Sequence, residues 1–160
     1  MEVIRRNTDY GLRMMVALAK HSGNGELMSS TQLVRKGNIS YEVGRNLLQR
    51  LRDANLVKSV MGSKGGFKLN RKPSEISLRE IINVLQGAVY LNKCLIHGQR
   101  CEFESECEVN TILAPLQQLL ANYLEKVSLE EILQSRSKKS KKTKKKFSNK
   151  KMDGSNKNSR

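Results

Sequence analysis

Two amphipathic helical segments and a basic hairpin follow one another without interruption, and this order strongly restricts the fold. Ser30 can cap a short helix, Gly37 and Asn38 supply a turn, and Ser40 can cap a longer helix. The apolar residues of the longer helix recur at helical spacing and predict its buried side: Val43, Leu47, Leu48 and Leu51. Two helices joined in this way, the second with a polar outer face, predict a helix-turn-helix over about 29–55.

A hairpin directly after the second helix is typical of a wing. The residues Val57–Val60 and Phe67–Asn70 have the composition of strands, and the glycine-rich segment 62–66 predicts a turn between them. The predicted wing spans 57–70. The predicted fold class is therefore mainly α with a small β-wing. It consists of a winged helix-turn-helix domain followed by a long C-terminal dimerisation helix.

Helices on either side of this motif complete the predicted domain. Thr8 can cap a first helix that runs to Lys20. Its inward face is predicted to consist of four residues: Leu12, Met15, Val16 and Ala19. Ser77 and Glu80 have the spacing of a capping box and open a helix that returns to pack on the first. Gly44, inside the second helix of the motif, is expected to cost about 1 kcal/mol relative to alanine.

A long apolar stripe predicts a helix over about 108–126. Six residues form the stripe: Ile112, Leu116, Leu119, Leu120, Tyr123 and Leu124. Pro115 removes one backbone hydrogen bond and predicts a kink or a later start. Because so small a body leaves this helix little to pack against, we assign it to a homodimer interface. Ser128 and Glu131 form a second capping box that opens a short final helix.

Net charge divides the 160-residue chain unequally. The total is +15, but residues 135–160 hold 12 basic residues and one acid, net +11, and their lack of apolar periodicity predicts a disordered tail. Residues 1–93 hold 16 basic and seven acidic residues, net +9, whereas residues 94–134 hold two and seven, net −5. This asymmetry within a regulator domain over 1–134 is expected when one part faces a polyanion and another part has a different task.

Composition also disfavours several classes of protein. No apolar run approaches the roughly 18 residues of a membrane span, and no continuous apolar leader is present, so we expect a cytoplasmic protein with no membrane partner. An enzyme is disfavoured because the chain has only two histidines, His21 and His97, no phosphate-binding glycine loop, and no nucleophile with its base.

All three cysteines lie in a loop predicted over 91–107: Cys94, Cys101 and Cys107. Their C-x6-C-x5-C spacing is wider than the C-x2-4-C pairs of zinc sites, and their odd number disfavours a disulfide framework. Longer arcs between soft thiolate ligands suit a larger iron-sulfur cluster. Three ordinary loop thiols are the alternative.

Four glutamates surround the second and third cysteines: Glu102, Glu104, Glu106 and Glu108. Their negative field disfavours a free reactive thiolate, and bound iron cations would compensate it. A loop kept acidic to avoid nonspecific contact with DNA is the alternative explanation.

The outer face of the second motif helix is predicted to enter the major groove of double-stranded DNA, where arginine, asparagine and glutamate side chains can read base edges. Six residues are candidates for base or phosphate contacts: Ser40, Tyr41, Glu42, Arg45, Asn46 and Gln49. Three wing residues suit phosphates or a minor groove: Lys58, Lys64 and Lys68. A dimer would place two such helices about 34 Å apart and predicts a near-palindromic operator.

The chain from about Thr8 to Leu133 resembles the winged-helix bacterial regulators that include the iron-sulfur cluster regulator IscR and the nitric-oxide-sensitive repressor NsrR. The resemblance is carried by T-D-Y-G-L-R at 8–13, L-R-D-A-N-L-V-K-S-V at 51–60, G-S-K-G-G-F-K-L at 62–69, the three cysteines, and V-S-L-E-E-I-L at 127–133. The opening is closer to the nitric-oxide-sensitive members. Met61 departs from relatives, which often carry arginine there, and so removes the one DNA contact expected from that arginine.

This resemblance implies a repressor with one iron-sulfur cluster per subunit, 2Fe-2S or 4Fe-4S, that senses nitric oxide or iron-sulfur and iron status. Some relatives complete the cluster with a histidine three residues after the third cysteine, but that position is Asn110, whose neutral amide is a poor iron ligand. Others use an aspartate from the first helix of the other subunit, which matches Asp9. Asp9 could instead pair with Arg13 near the helix start, and His97 is a further candidate ligand.

Two alternatives to cluster sensing stay open. The cysteines could serve a thiol- or zinc-based redox-responsive DNA-binding regulator. The Lys-rich tail over 135–160 could instead mark an RNA- or ribosome-associated basic protein, in which the winged domain is a scaffold.

Overall fold

The computed structural model describes residues 2–21, 23, 26–96 and 106–135. Short 3-10 helices at Pro73–Glu75 and Lys93–Leu95 lie in connections. The predicted fold class is confirmed, because the described part is mainly helical with a two-stranded antiparallel wing. Its helices and strands are α1 (Arg6–His21), α2 (Ser30–Gly37), α3 (Tyr41–Asp53), β1 (Val57–Val60), β2 (Gly66–Leu69), α4 (Leu78–Gln86), α5 (Glu108–Lys126) and α6 (129–135).

The core lies between α1, α2, α3 and α4. α1 and α4 approach so closely that a Cβ placed on Gly11 would overlap the Leu85 side chain, which confirms that α4 returns to pack on α1. No helix in the described ranges is long and apolar enough to cross a membrane. The apolar side chains with no exposed surface are Met14, Met15, Leu33, Leu51, Leu56, Ile76, Ile81 and Leu129.

The predicted caps of α1 and α2 are wrong by three positions and by one position. α1 begins at Arg6, and Thr8 lies inside it with a buried hydroxyl that has no hydrogen-bond partner among the described residues. α2 is capped by Ser29, whose hydroxyl accepts from the Gln32 N–H while the Gln32 side chain accepts from the Ser29 N–H. Gln32 therefore selects Ser29 over Ser30, since only Ser29 completes a capping box with it.

The inward face of α1 is displaced from the predicted one. Met15 and Ala19 are buried as expected, but Leu12 and Val16 are only half-buried. The deepest stripe instead runs through Gly11 and the residues Met14, Met15 and Leu18. A glycine contributes nothing to a hydrophobic pattern, so the position where α1 comes closest to α4 could not be found by counting apolar residues.

Gly44 has the opposite role from the expected one. Asn38 turns the chain with a φ of 56°, and Ser40 caps α3, so that α2 and α3 cross closely. A Cβ placed on Gly44 would overlap Val34 Cγ2. The absence of a side chain on Gly44 therefore permits the close approach of the two helices, and its helix-propensity cost is secondary.

Both predicted capping boxes lie at helix starts. Ser77 caps α4 by accepting from the Glu80 N–H at 3.1 Å, and Ser128 and Glu131 make the reciprocal pair that opens α6. Of the two alternatives predicted at Pro115, a kink or a later start, the later start is wrong, since the helix begins at Glu108 and continues through Pro115. Pro115 is exposed, so water can satisfy the carbonyl that loses its partner.

Candidate DNA-binding surface and cysteine site

The outer face of α3 is open to solvent. The burial of Leu47, Leu48 and Leu51 fixes which side of the helix meets the core. The predicted outward side is therefore confirmed, and its contact with DNA stays a prediction. All six predicted DNA-contacting residues of this region are exposed: Ser40, Tyr41, Glu42, Arg45, Asn46 and Gln49.

A notch of about 200 Å³ lies between α2, α3 and the wing, and Tyr41 and Arg45 form part of its wall. The Tyr41 hydroxyl lies 3.4 Å from the Ser30 hydroxyl. Together with the Arg45 guanidinium, these hydroxyls can donate to a phosphate oxygen. Three residues that line the notch were not predicted to contact DNA: Ser30, Arg52 and Phe67. Helical spacing could have indicated Arg52, but not the other two.

The wing concentrates positive charge. Lys58 lies directly opposite Lys68 in the antiparallel pair, and Lys64 is exposed in the turn. Like charges facing each other across a ladder repel, so a bound anion would stabilise this pair. A concavity beside the two paired lysines is lined by four basic and two acidic residues, a net charge of +2.

The base of the wing is fastened to the body. The Met28 N–H donates to the Phe67 carbonyl at 3.0 Å, and the Phe67 N–H donates to the Met28 carbonyl at 2.8 Å. β2 begins at Gly66, one residue earlier than predicted, where a Cβ would lie only 2.7 Å from the Met28 carbonyl oxygen. This pairing sets the wing beside the notch and α3.

Two of the three cysteines belong to the described residues and lie at opposite ends of the predicted loop. Cys94 is part of the 3-10 helix Lys93–Leu95, and Cys107 is the N-cap residue of α5. Both thiols are half-buried and outside any disulfide. Cys101, His97, Glu102 and Glu104 lie outside the described residues. Within the described ranges, no three His, Cys, Asp or Glu side chains form a group able to hold a metal ion.

Gln117 of α5 connects that helix to the chain that leads to Cys94. Its side-chain amide donates to the Val89 carbonyl at 2.9 Å and accepts from the Leu91 N–H at 2.9 Å. Asn92 then caps the 3-10 helix by accepting from the Lys93 N–H at 2.8 Å. The two hydrogen bonds made by the Gln117 side chain, which we call the Gln117 clamp, hold the segment before Cys94 against α5.

The two described cysteines have the donor chemistry of iron-sulfur ligands. Cys94 and Cys107 are uncommitted thiols, the soft ligands that such clusters require. One helical turn beyond Cys107, the Asn110 Oδ1 atom is buried with no hydrogen-bond partner among the described residues. This oxygen therefore needs a donor that the described residues do not supply.

Asp9 lies in the first turn of α1, where its carboxylate accepts a salt bridge from Arg13 at 2.6 Å. The two side chains are 46% and 51% exposed, so a surface pair of this kind contributes at most about 1 kcal/mol. The i,i+4 ion pair expected as the structural alternative is therefore present. The Asp9 carboxylate nevertheless stays accessible to another subunit.

α5 carries two apolar faces where the sequence predicted one stripe. Leu120 is half-buried and Leu124, at 9% exposure, is the only residue of α5 in the buried class. The opposite face, which we call the outer stripe, repeats at intervals of three and four residues, as in a coiled-coil seam. The outer stripe is 48–73% exposed and consists of Val109, Ile112, Leu116, Leu119 and Tyr123.

A helix-turn-helix with an exposed, polar second helix, a fastened basic wing and an appended amphipathic helix defines a winged-helix transcriptional regulator that binds DNA. The family model of Rrf2, described as an iron-dependent transcriptional regulator, matches residues 4–135. The chain belongs to the Rrf2 family. This membership also confirms the prediction that it is not an enzyme.

The individual relatives include regulators with different names. The chain is 31% identical over 125 residues to the transcriptional regulator IscR of Aliivibrio salmonicida, which covers 78% of this chain and 73% of that protein. It is 39% identical over 80 residues to CymR of Bacillus subtilis, which covers 50% of this chain and 57% of that protein. The predicted resemblance to IscR-type regulators is confirmed, whereas a nitric-oxide sensor in particular is not distinguished.

Solved structures of both CymR and IscR resemble this chain. The structure of CymR, the global cysteine regulator of B. subtilis, has a TM-score of 0.68 at 26% identity and covers 82% of this chain and 96% of that chain. The structure of IscR from T. potens has a TM-score of 0.65 at 26% identity, and the match covers 81% of this chain and 85% of that chain. The fold is thus shared by relatives whose names point to different signals.

Proposed function

We propose that this chain is a homodimeric repressor whose iron-sulfur cluster reports nitric oxide or iron-sulfur and iron status. The observation that carries the proposal is that Cys94 and Cys107 are both uncommitted, half-buried thiols, and that Cys107 is the N-cap residue of the helix that bears the outer stripe. Similarity to IscR and the iron-dependent description of the family support it.

The cluster would be held by chain residues from both subunits. Cys94, Cys101 and Cys107 would supply three thiolates, and Asp9 of the partner subunit would supply the remaining ligand. When bound, the cluster supplies iron that nitric oxide or oxidants can attack, and a positive charge that offsets the acidic loop. One cluster per subunit follows from one cysteine set per chain.

The outer stripe is the proposed dimer contact. Its three-four spacing allows two copies of α5 to interdigitate, and each large apolar side chain buried there contributes about 1.5–3 kcal/mol relative to exposure. The dimer would present two copies of α3 to successive major grooves about 34 Å apart, on a near-palindromic operator. Nitric oxide or cluster loss is then proposed to change the angle between those two helices.

Hydrogen bonds lead from the cysteine segment to α3 within one subunit. The Gln117 clamp ties residues 89–91 to α5, and this segment directly follows α4. At the end of α4, the Leu85 carbonyl accepts a hydrogen bond from Arg50 of α3 at 2.9 Å. A change at Cys94 can therefore displace both the dimer helix and the DNA-reading helix. A difference of a few kcal/mol in DNA-binding free energy, between the protein with its cluster intact and the protein after cluster loss or reaction with nitric oxide, would suffice to switch binding.

Anaerobic purification tests the cluster directly. Iron and acid-labile sulfide are quantified per subunit, and absorption spectra and DNA affinity are recorded before and after nitric oxide. We expect stoichiometric iron and sulfide, and weaker operator binding after treatment. A colourless protein without iron or sulfide after reconstitution would overturn the cluster proposal.

Two matched variants test the trans ligand. Asp9→Asn removes both the carboxylate and its ion pair, whereas Arg13→Gln removes only the ion pair. We expect an altered cluster spectrum in Asp9→Asn and a wild-type spectrum in Arg13→Gln. Equal spectra in both variants would remove Asp9 from the ligand set.

A thiol-based redox regulator is the second candidate. It is supported by the similarity to CymR, the global cysteine regulator of B. subtilis. In this case the cysteines act without a cluster, alone or with zinc, and oxidant changes DNA affinity. Equal affinity of Cys101→Ser and wild type, with and without oxidant, would exclude both sensing mechanisms.

A further inference from the structure

We propose that Met61, at the tip of the wing, is a specificity-determining residue that places its side chain in the DNA minor groove beside each half-site. The proposal rests on the DNA-binding function given above. Met61 is 96% exposed, the highest value among the large apolar side chains of the described residues. No role is assigned to this position by the major-groove contacts of α3 or by the wing lysines.

The backbone that presents Met61 is tightly constrained. Val60, immediately before it, pairs with Gly66 at the end of the wing ladder. Gly62, immediately after it, has a φ of +114°, which favours glycine, and its carbonyl accepts from the Gly65 N–H at 2.9 Å. A Cβ placed on Gly65 would overlap the Val60 carbonyl oxygen, so the turn is closed without spare room. Met61 is thereby held outward at a fixed place.

The surroundings of Met61 favour DNA as its partner. A single exposed apolar residue is ordinary on a protein surface. This one lies on a hairpin that carries Lys58, Lys64 and Lys68, all exposed, and the base of that hairpin is fastened beside α3 by the Met28–Phe67 pairing. The lysines attract a polyanion, and an apolar tip between them needs a contact surface that excludes water. The sugar walls and base edges of the minor groove provide one, and apolar side chains including methionine are used there as wedges.

An apolar tip has a definite consequence for sequence preference. A G·C pair places the guanine N2 amine in the minor groove, and a methionine side chain cannot satisfy that donor, whereas an A·T pair presents no amine there. Burying the amine against Met61 therefore costs affinity. An arginine at this place would instead respond to groove width and negative potential. Met61 thus predicts a preference for A·T at the step that the wing contacts.

Inosine substitution separates this effect from any major-groove effect. Inosine·C has the major-groove face of G·C but lacks the minor-groove amine. The probe is a duplex that the wild-type protein selects from a random-sequence pool, with the wing position located by hydroxyl-radical footprinting. That position is then made A·T, G·C or inosine·C, and affinities are measured across a range of salt concentrations.

We expect wild type to bind the A·T and inosine·C duplexes equally and the G·C duplex about tenfold more weakly, a change worth ~1.4 kcal/mol. Met61→Ala should bind all three duplexes alike with an unchanged salt dependence, because no charge is removed. Lys64→Gln is the matched control on the same turn. It should reduce the salt slope by about 1 and keep the preference.

The possible failures are distinguishable. Selection of no duplex by the wild-type protein would count against the DNA-binding function as a whole. Normal selection with no discrimination between G·C and inosine·C, or discrimination that survives in Met61→Ala, would overturn the role of Met61 alone. Because Met61 is almost fully exposed, its variants should keep the wild-type circular dichroism spectrum and melting temperature.

Discussion

The winged part of the molecule and α5 are stabilised in different ways. In the winged part, side chains such as Met14, Leu51 and Ile81 have no exposed surface. α5 is 19 residues long, yet Leu124 is its only buried residue, and its outer stripe faces solvent. Charge follows the same division, with +9 on residues 1–93 and −5 on residues 94–134. The winged part, which we propose faces DNA, has its own buried core, whereas our proposal has α5 and the cysteine site completed by a second subunit and a cluster.

A pair of leucine truncations tests this contrast most strongly. Leu51→Ala opens a cavity in the core and should lower the free energy of unfolding by about 2–5 kcal/mol. Leu116→Ala, on the 48% exposed outer stripe, should change it by no more than about 0.5 kcal/mol when measured at concentrations where the protein is monomeric. Chemical denaturation followed by circular dichroism measures both. Equal losses would mean that α5 is part of the core of its own subunit.

A charge on the outer stripe tests whether a second copy covers it. Leu119→Asp would bury an unpaired carboxylate in the proposed interface, twice per dimer, and should raise the dimer dissociation constant at least about 100-fold, or ~2.7 kcal/mol. Gln118→Asp adds the same charge to the same helix off the stripe and should leave the dimer intact. Analytical ultracentrifugation distinguishes the outcomes. An unchanged dimer in Leu119→Asp would place the interface elsewhere.

A glycine comparison tests how closely the winged part is packed. Gly44→Ala inserts a methyl group where Val34 Cγ2 already lies, so it should cost about 1–3 kcal/mol and weaken operator binding by displacing α3. Gly23→Ala has open space around its Cβ and should be neutral or slightly stabilising. Thermal unfolding and DNA titration measure the two effects. A neutral Gly44→Ala would show that α2 and α3 separate freely.

The sequence predicted the winged part well because its signals are local. Ser40, Asn38 and Ser77 act on backbone groups within three residues, and the apolar spacing of α3 assigns its two sides correctly. The cap of α2 was still misplaced by one residue, and the errors about helix contacts lie where tertiary packing decides. Gly11 and Gly44 are close contacts between helices, and such contacts leave no mark on an apolar pattern.

The candidate site was predictable only in part for the same reason. Helical spacing indicated which residues of α3 are exposed, but Ser30 and Phe67 join the notch through packing of α2 and the wing. α5 was predicted as one stripe because apolar counting cannot separate a face that meets the body from a face left outside. The Gln117 clamp carries no sequence signal, since its partners are backbone groups of Val89 and Leu91, 28 and 26 residues away.

The smallest expected effect is local to the boundary between the two parts. Gln117→Leu keeps the size of the side chain but removes both hydrogen bonds of the clamp, so residues 89–91 should open more often without a change in global stability. The Leu91 N–H donates to Gln117 directly, and its hydrogen exchange should accelerate about 5- to 30-fold, which corresponds to ~1–2 kcal/mol. Alkylation of Cys94 should accelerate with it.

Gln118→Leu, one residue along and exposed, should leave exchange at Leu91 unchanged and serves as the control. If exchange at Leu91 stays slow in Gln117→Leu, the segment before Cys94 is held by packing and not by the clamp. If exchange accelerates while operator affinity still responds fully to nitric oxide or oxidant, the signal reaches α3 without this segment. Only joint loss of protection and of the DNA response would make the clamp the link between the cysteine site and the winged part.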